Sequence, residues 1–299
     1  MNIVTPSVQS KDHHSPIPMA EQTLTRGDAE KLLASITLPP RPTVVTEVMG
    51  EHQKDAPDLR QVAHLIGSDP ALAAALMKTV NSPFYGLRGR ITSIEHAVSL
   101  LGMTNISTLV LGLSLRKAMP QGRLQHFREE APIIALVMSR LARALGGAKP
   151  DDAHLFGLFH DCGMPLLEQR YKNYPETVTA AFMSVEAGFT QVEERAHGTN
   201  HAVVGSLLAS NWNLPDHIRL AILWHHDATV FSTDLPSDSL HLIALGRIAE
   251  FMVQEQHNLA MDCVWESNGR SSLDYLMLDK NAFEELHADI REDLQQMSY

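Results

Sequence analysis

His154-Leu155-Phe156-Gly157-Leu158-Phe159-His160-Asp161-Cys162-Gly163 is an apolar run that ends in an adjacent histidine and aspartate. Imidazole and carboxylate both ligate borderline and hard divalent metals, and side by side at a helix end they hold one ion or bridge two. Two ligands do not complete a site, so other parts of the chain must supply the rest.

Further along, His201 follows Gly198-Thr199-Asn200, and His225-His226-Asp227 ends an apolar stretch. Each of these closes or opens a helix in a row of consecutive helices, and helix ends gathered at one mouth of a bundle converge their side chains. Neighbours on a helix point roughly 100° apart, so one of His225 and His226 is expected to face that mouth. The same spacing also fits buried histidines that bond Asp161 and backbone and only tie helices together. Most of the other histidines among the sixteen, such as His13, His52 and His257, lie in polar or end positions and read as solvated.

Outward from this stretch the chain reads as helices, with no alternating segment long enough for a sheet. Residues 1–22 have few large apolar side chains and are expected to form a disordered tail. Leu38-Pro39-Pro40-Arg41-Pro42 stops a first helix, and helix starts follow at Asp58 with Gln61, Asp69 before Pro70, and Thr92 with Glu95. Apolar positions at spacings of three and four (Val62, Leu65, Ile66; Leu72, Leu76, Val80) make these helices amphipathic. Asn81-Ser82-Pro83-Phe84-Tyr85-Gly86 is a polar turn with two aromatics. It serves either as a packed plug or as an interaction loop presenting Asn81, Ser82, Phe84 and Tyr85. A second series has a helix over about 127–145, then Asp151 or Asp152 capping the helix that carries His160, then a capping box of Thr190 with Glu193. Helices over 201–211, 216–225, 239–254 and 280–296 complete the pattern.

Composition excludes several classes. Hydrophobic residues at 44% and charged residues at 20% belong to a globular protein with a sizeable core. A formal charge of -11 at pH 7 repels phosphate backbones, so nucleic acid is not an expected partner. No uninterrupted apolar run reaches bilayer length, the first residues lack a basic region with a long apolar core, and the only cysteines are Cys162 and Cys263. The expectation is a cytoplasmic protein with no membrane partner.

The ordered set Leu38-Pro39 with Pro42, Asp69-Pro70, Asn81-Ser82, Ser93-Ile94 with Ala97, Leu101-Gly102, the run Gly157 to Gly163, His201 with Gly205, Trp212 with Leu214-Pro215, and His225-His226 resembles the HDOD family, the HD-related output domain of bacterial signalling proteins. The resemblance covers roughly residues 30–230. It implies an all-α, two-lobed helical bundle: an N-terminal helical lobe over 23–120 packed on an HD-like lobe over 121–230, with the helices of 231–299 packing on the latter. That second lobe is related to HD-superfamily metal-dependent phosphohydrolases, and the resemblance implies a pocket of His160, Asp161, His201, His225, His226 and Arg247. A metal there would be held by His160, Asp161, His201 and His225.

The chain departs from the hydrolase pattern at two ligands. The helix before the His-Asp pair contains no histidine over 129–142, and the final aspartate position falls on Arg247. An arginine there would pair with Asp161 or bind an anion in place of a dication; a slip of one turn would bring Glu250 to the position instead, and Glu129 or Glu130 would replace the histidine. The resemblance therefore implies a degenerate site and a regulatory, signal-transducing module with no catalytic residues, acting through a protein partner or a small signalling ligand. No cofactor is expected, or a divalent Fe, Mn, Ni or Zn where the pocket is filled. The competing reading is a metal-dependent phosphohydrolase acting on a nucleotide or cyclic dinucleotide; the absence of a Gly-Tyr-Pro motif weakens the latter substrate.

Overall fold

Two aspartates show how the helices begin. Asp58 accepts from the backbone N–H of Arg60 at 2.8 Å and of Gln61 at 3.4 Å, and Asp69 accepts from Ala71 and Leu72, both at 3.1 Å. These bonds satisfy donors that a helix start leaves open. In this computed structural model, residues 36–82, 89–184, 187–256, 265 and 269–297 are described. The expected tail over 1–22, and Phe84 and Tyr85 of the expected interaction loop, lie outside them.

The fold is all-α, with no strand among the described residues. Helices α1 (Thr43–His52), α2 (Leu59–Gly67) and α3 (Pro70–Val80) each pack on α4 (Ile94–Ala118), around Val48, Ile66, Leu76, Ile106 and Val110. Gly102 breaks α4 at φ 74° and ψ 174°, a kink between two helical stretches. By length and composition α4 is apolar enough to cross a bilayer, with a mean hydropathy of 1.6, which the sequence reading did not anticipate. Half of that apolar window is buried in the fold and Gly102 divides it, as suits a core helix. Asn81 closes the loop after α3, bonding both backbone groups of Ile91 at 2.8 and 2.9 Å.

Beyond α4 come α5 (Gln125–Leu145), α6 (Pro150–Phe159), α7 (Gly163–Arg170), α8 (Tyr174–Phe182), α9 (Phe189–His197), α10 (His201–Asn211), α11 (Asp216–Trp224), α12 (Ser237–Gln256), α13 (Arg270–Tyr275) and α14 (Lys280–Met297). Helix α12 packs on α5, α6, α11, α13 and α14, and its middle, Leu242 to Leu245 with Ile248 and Ala249, is wholly buried. Trp212 joins this core edge-on to Phe159 and donates its indole N–H to the Pro39 carbonyl at 3.0 Å.

Three expected caps differ. Ser93, rather than Thr92, caps α4 through the His96 N–H at 3.1 Å. Lys149 stands at the N-cap of α6, so Asp151 and Asp152 lie inside its first turn. Helix α9 starts at Phe189 behind Gly188, and Glu193 is not a capping-box residue: the core claims its side chain.

Candidate metal centre

Two glycines of the opening stretch bring the centre together. A Cβ on Gly157 would stand 2.6 Å from Ala135 Cα, so α6 and α5 touch backbone to backbone there. At Gly163 a Cβ would stand 2.0 Å from the His201 carbonyl oxygen, so the start of α7 lies against the first residue of α10. Asp161, in the turn between α6 and α7, is thereby set beside His201, which Asn200 holds at the helix start by accepting from the Val203 N–H at 2.9 Å.

Each buried histidine is oriented by its outer nitrogen. His160 Nδ1 lies 2.9 Å from the Gly157 carbonyl, His225 Nδ1 2.7 Å from the Ile222 carbonyl, and His201 Nδ1 2.7 Å from Glu193 Oε2. These oxygens only accept, so each Nδ1 carries the proton and each Nε2 is turned inward. His160 Nε2 is 3.2 Å from Asp161 Oδ2, while His201 and His225 Nε2 are 3.3 and 3.6 Å from Asp161 Oδ1 and 3.3 Å from each other. Two imidazole lone pairs at that separation call for a proton or a metal ion between them.

The donor set fits a divalent cation. His160 Nε2, Asp161 Oδ1 and His226 Nε2 are buried without an aligned hydrogen-bond partner, a condition native interiors rarely tolerate without an ion or water. Donor atoms of Asp161, His201, His225 and His226 all fall within 4.8 Å of one another. This grouping takes His226 where the sequence expectation took His160. His160 instead faces the other carboxylate oxygen and Glu250 Oε1 at 3.3 Å. A small cavity of about 20 Å³ adjoins them, with Glu130, Asp161, His226 and Glu250 on its polar side and Ile134, Met164 and Phe189 among its apolar walls. That is room for a water or an ion.

Electrostatics follow from this packing. Burial disfavours charge on His160, but Asp161 and Glu250 overcome it and push its pKa up to about 9. Burial is likewise outweighed at His201, where Glu193 and Asp161 push it up to about 10. Burial prevails at His225, pushing it down to about 4, and holds His226 well below the usual range. Burial also opposes ionisation of Asp161, yet the surrounding histidines hold it well below the usual carboxylate range. Protons in this cluster stand where a cation would.

Two expectations are corrected. Both His225 and His226 reach the centre, their rings 4.1 Å apart; α11 ends at Trp224, with His225 as its C-cap and His226 in the turn that follows. His226 stacks on Phe189 at 5.1 Å and lies 4.9 Å from His201. Arg247, in turn, neither pairs with Asp161 nor takes the aspartate position. Its guanidinium donates to the backbone carbonyls of His225 at 2.9 Å and Asp227 at 2.7 Å and lies over Phe231, which fixes the turn carrying the two histidines. Glu250, one turn further along α12, is the carboxylate at the centre.

Sequence reasoning missed Glu193 and Tyr174. Both are fully buried, and Glu193 accepts from the Tyr174 hydroxyl, the His201 N–H at 3.2 Å and the His201 ring. The available signal was a carboxylate four residues after Phe189, on the same apolar face of α9.

The chain matches the HDOD domain over residues 38–228, and it belongs to the HDOD family. An uncharacterised protein of Treponema pallidum (strain Nichols) is 25% identical over 205 residues, 66% of this chain and 40% of the relative. The uncharacterised protein YuxH of Bacillus subtilis (strain 168) is 28% identical over 117 residues, 38% of this chain and 28% of the relative. The chain thus spans less than half the length of these curated relatives. Among solved structures, an HDOD domain protein of unknown function from Geobacter sulfurreducens has a TM-score of 0.63 at 22% identity, covering 88% of this chain and 96% of that one. A proposed phosphohydrolase of Shewanella amazonensis SB2B gives 0.68 at 21%, covering 90% and 98%; both likenesses concern the fold alone. A proposed signal transduction protein from Marinobacter aquaeolei VT8 gives 0.67 at 26%, covering 90% of this chain and 61% of that one.

Proposed function

We propose that this chain is a non-catalytic HDOD signalling module of the cytoplasm. It acts by binding a protein partner or a small signalling ligand, and its His-carboxylate centre holds a divalent Fe, Mn, Ni or Zn ion as part of the fold. The observation that carries this reading is the closure and charge of the centre. His160, His201 and His225 are 1%, 0% and 3% exposed, and the adjoining cavity of about 20 Å³ cannot admit a nucleotide. Three carboxylates face that cavity, and no Lys or Arg is among the described residues lining it. Phosphoryl transfer needs positive groups clamped on the transferring phosphate, and apart from a bound cation and the centre's own histidines the lining of this cavity supplies none.

The competing reading, a metal-dependent phosphohydrolase, draws support from Glu250 and Glu130. They place carboxylates at the cavity where the sequence had left the ligand set short. A metal bound there would supply Lewis acidity, and this chain would contribute Asp161, His201, His225 and His226 to hold it. Both readings meet one experiment on the full chain purified without chelator. Metal is measured in wild type and in His201→Ala, and hydrolysis of bis(4-nitrophenyl) phosphate and of a nucleoside triphosphate is followed with Mn²⁺ added. The signalling reading expects metal that His201→Ala loses, with no turnover. Turnover on the order of 1 s⁻¹ or faster, abolished by His160→Ala, would overturn it.

A further inference from the structure

We infer that Glu193, held by Tyr174, is the positioning residue of the centre: it fixes the His201 ring with Nδ1 protonated and Nε2 open to a divalent cation. This rests on the metal-binding reading above. Three of the centre's imidazoles are held through an outer Nδ1 bond, and they are not oriented alike. His160 and His225 are set by the carbonyls of Gly157 and Ile222, each three residues back in the same chain, and no side-chain substitution removes those acceptors. His201 alone is set by another side chain, a fully buried carboxylate, at 2.7 Å. Glu193 is in turn held from α8 by the Tyr174 hydroxyl, itself fully buried, so α8, α9 and α10 meet in one hydrogen-bonded line that ends at His201, whose Nε2 faces Asp161 Oδ1 at 3.3 Å.

The bland alternative is that Glu193 merely satisfies the open His201 N–H at the start of α10, 3.2 Å from Oε1. Glutamine separates the two roles. Oε1 of Glu193 receives both the Tyr174 hydroxyl and the His201 N–H, so the single carbonyl oxygen of a glutamine is best placed there, and its NH2 then faces His201 Nδ1. An NH2 group only donates, which forces the ring proton onto Nε2, toward Asp161 and His225. The helix start keeps its acceptor, while the centre loses an open ligand nitrogen. Outer carboxylates on metal-bound histidines typically contribute 10–100-fold in metal affinity.

The test titrates the metal-free full chain with Co²⁺, reading ligand-field absorption, for wild type, Glu193→Gln, Tyr174→Phe and His201→Ala, with circular dichroism and the thermal midpoint recorded for each. The expected result is wild-type absorption that His201→Ala abolishes, a roughly 10–100-fold weaker Co²⁺ titration in folded Glu193→Gln with an altered spectrum, and a smaller weakening in Tyr174→Phe. Folded Glu193→Gln with wild-type affinity and spectrum overturns the inference and leaves Glu193 as a helix cap. If Glu193→Gln does not fold, Tyr174→Phe decides, since it leaves the His201 contacts in place; a wild-type titration there overturns the inference. Wild type that is folded but gives no Co²⁺ absorption overturns the metal-binding reading itself, and so is distinguishable from failure of Glu193 alone.

Discussion

Glu51 and Glu193 are both buried glutamates, 5% and 0% exposed, and they end in opposite situations. Glu51, in the last turn of α1, accepts from the Asp58 N–H at 2.8 Å and pairs with Lys54, whose side chain is 60% exposed. Its bonds run from the start of α2 out to water, and they close. Glu193 has its own bonds complete as well, but the line they begin runs inward to His201 Nε2 and stops at Asp161 Oδ1, which has no aligned partner, beside His160 and His226 Nε2, which have none either. A buried charge whose network closes supports the fold. One whose network ends on unpaired acceptors marks where a cation belongs.

The strongest way to break this contrast is Gly163→Ala. Its new Cβ would meet the His201 carbonyl oxygen at 2.0 Å and the carbonyl carbon at 2.8 Å, and backbone atoms cannot rotate away. Helix α10 has to shift, taking His201 from Asp161 while the Glu51 network is untouched. The expected loss is about 3 kcal/mol, read by urea unfolding, together with loss of any stabilisation by added metal. Next in size is the metal itself. At a hundredfold excess over its Kd, Mn²⁺ or Zn²⁺ should raise wild-type stability by about 2.7 kcal/mol. That is several degrees in Tm for a chain of this length, and His201→Ala should show none of it. A wild-type midpoint indifferent to every divalent ion would put Glu193 in the same class as Glu51.

What the sequence made legible follows the range of the interactions. Asp58 and Asp69 were readable as helix starts because their bonds reach only two or three residues ahead. The His-Asp pair and the later histidines were identifiable as a candidate set, and the structure brings all of them together. Roles that depend on contacts between elements were not readable. Thr190 and Glu193 have capping-box spacing, yet Glu193 is claimed by His201 of the next helix. Arg247 stands at a ligand position by count and is claimed by two carbonyls of the His225 turn, leaving the centre to Glu250. Nothing within four residues of either side chain specifies that outcome.

A pH series sharpens the comparison further. In metal-free protein His160 and His201 titrate near 9 and 10 when folded, against 6.5 for an ordinary histidine. Their contribution is therefore fully present below about pH 6.5 and is lost as pH rises through about 9 and 10. His225, pushed down to about 4, acts on the other side: the unfolded chain takes up its proton first, and stability falls as pH drops from 6.5 toward 4. The metal-free midpoint should thus decline in both directions from about pH 6.5. With metal bound, a cation replaces the protons on the histidines and the alkaline decline should vanish. Thermal melts with chelator and with Zn²⁺ at about pH 7 and about pH 9.5 check this; equal alkaline losses in both would mean the cluster holds protons only.

The smallest effect is expected at Glu51→Gln. The amide oxygen can still accept from the Asp58 N–H, so the link from α1 to the start of α2 survives, and what disappears is the attraction to Lys54. Because that ammonium is already mostly in water, its attraction is screened, and the midpoint should fall by only a degree or two at low salt and by less in high salt. Co²⁺ absorption and metal stoichiometry should match wild type, since no bond from Glu51 leads to the histidines. The same charge-removing change at Glu193 leaves an equally buried amide but is expected to alter both. If Glu51→Gln weakened metal binding as Glu193→Gln does, the two glutamates would be acting through overall stability alone, and the distinction drawn from where their hydrogen bonds end would fail.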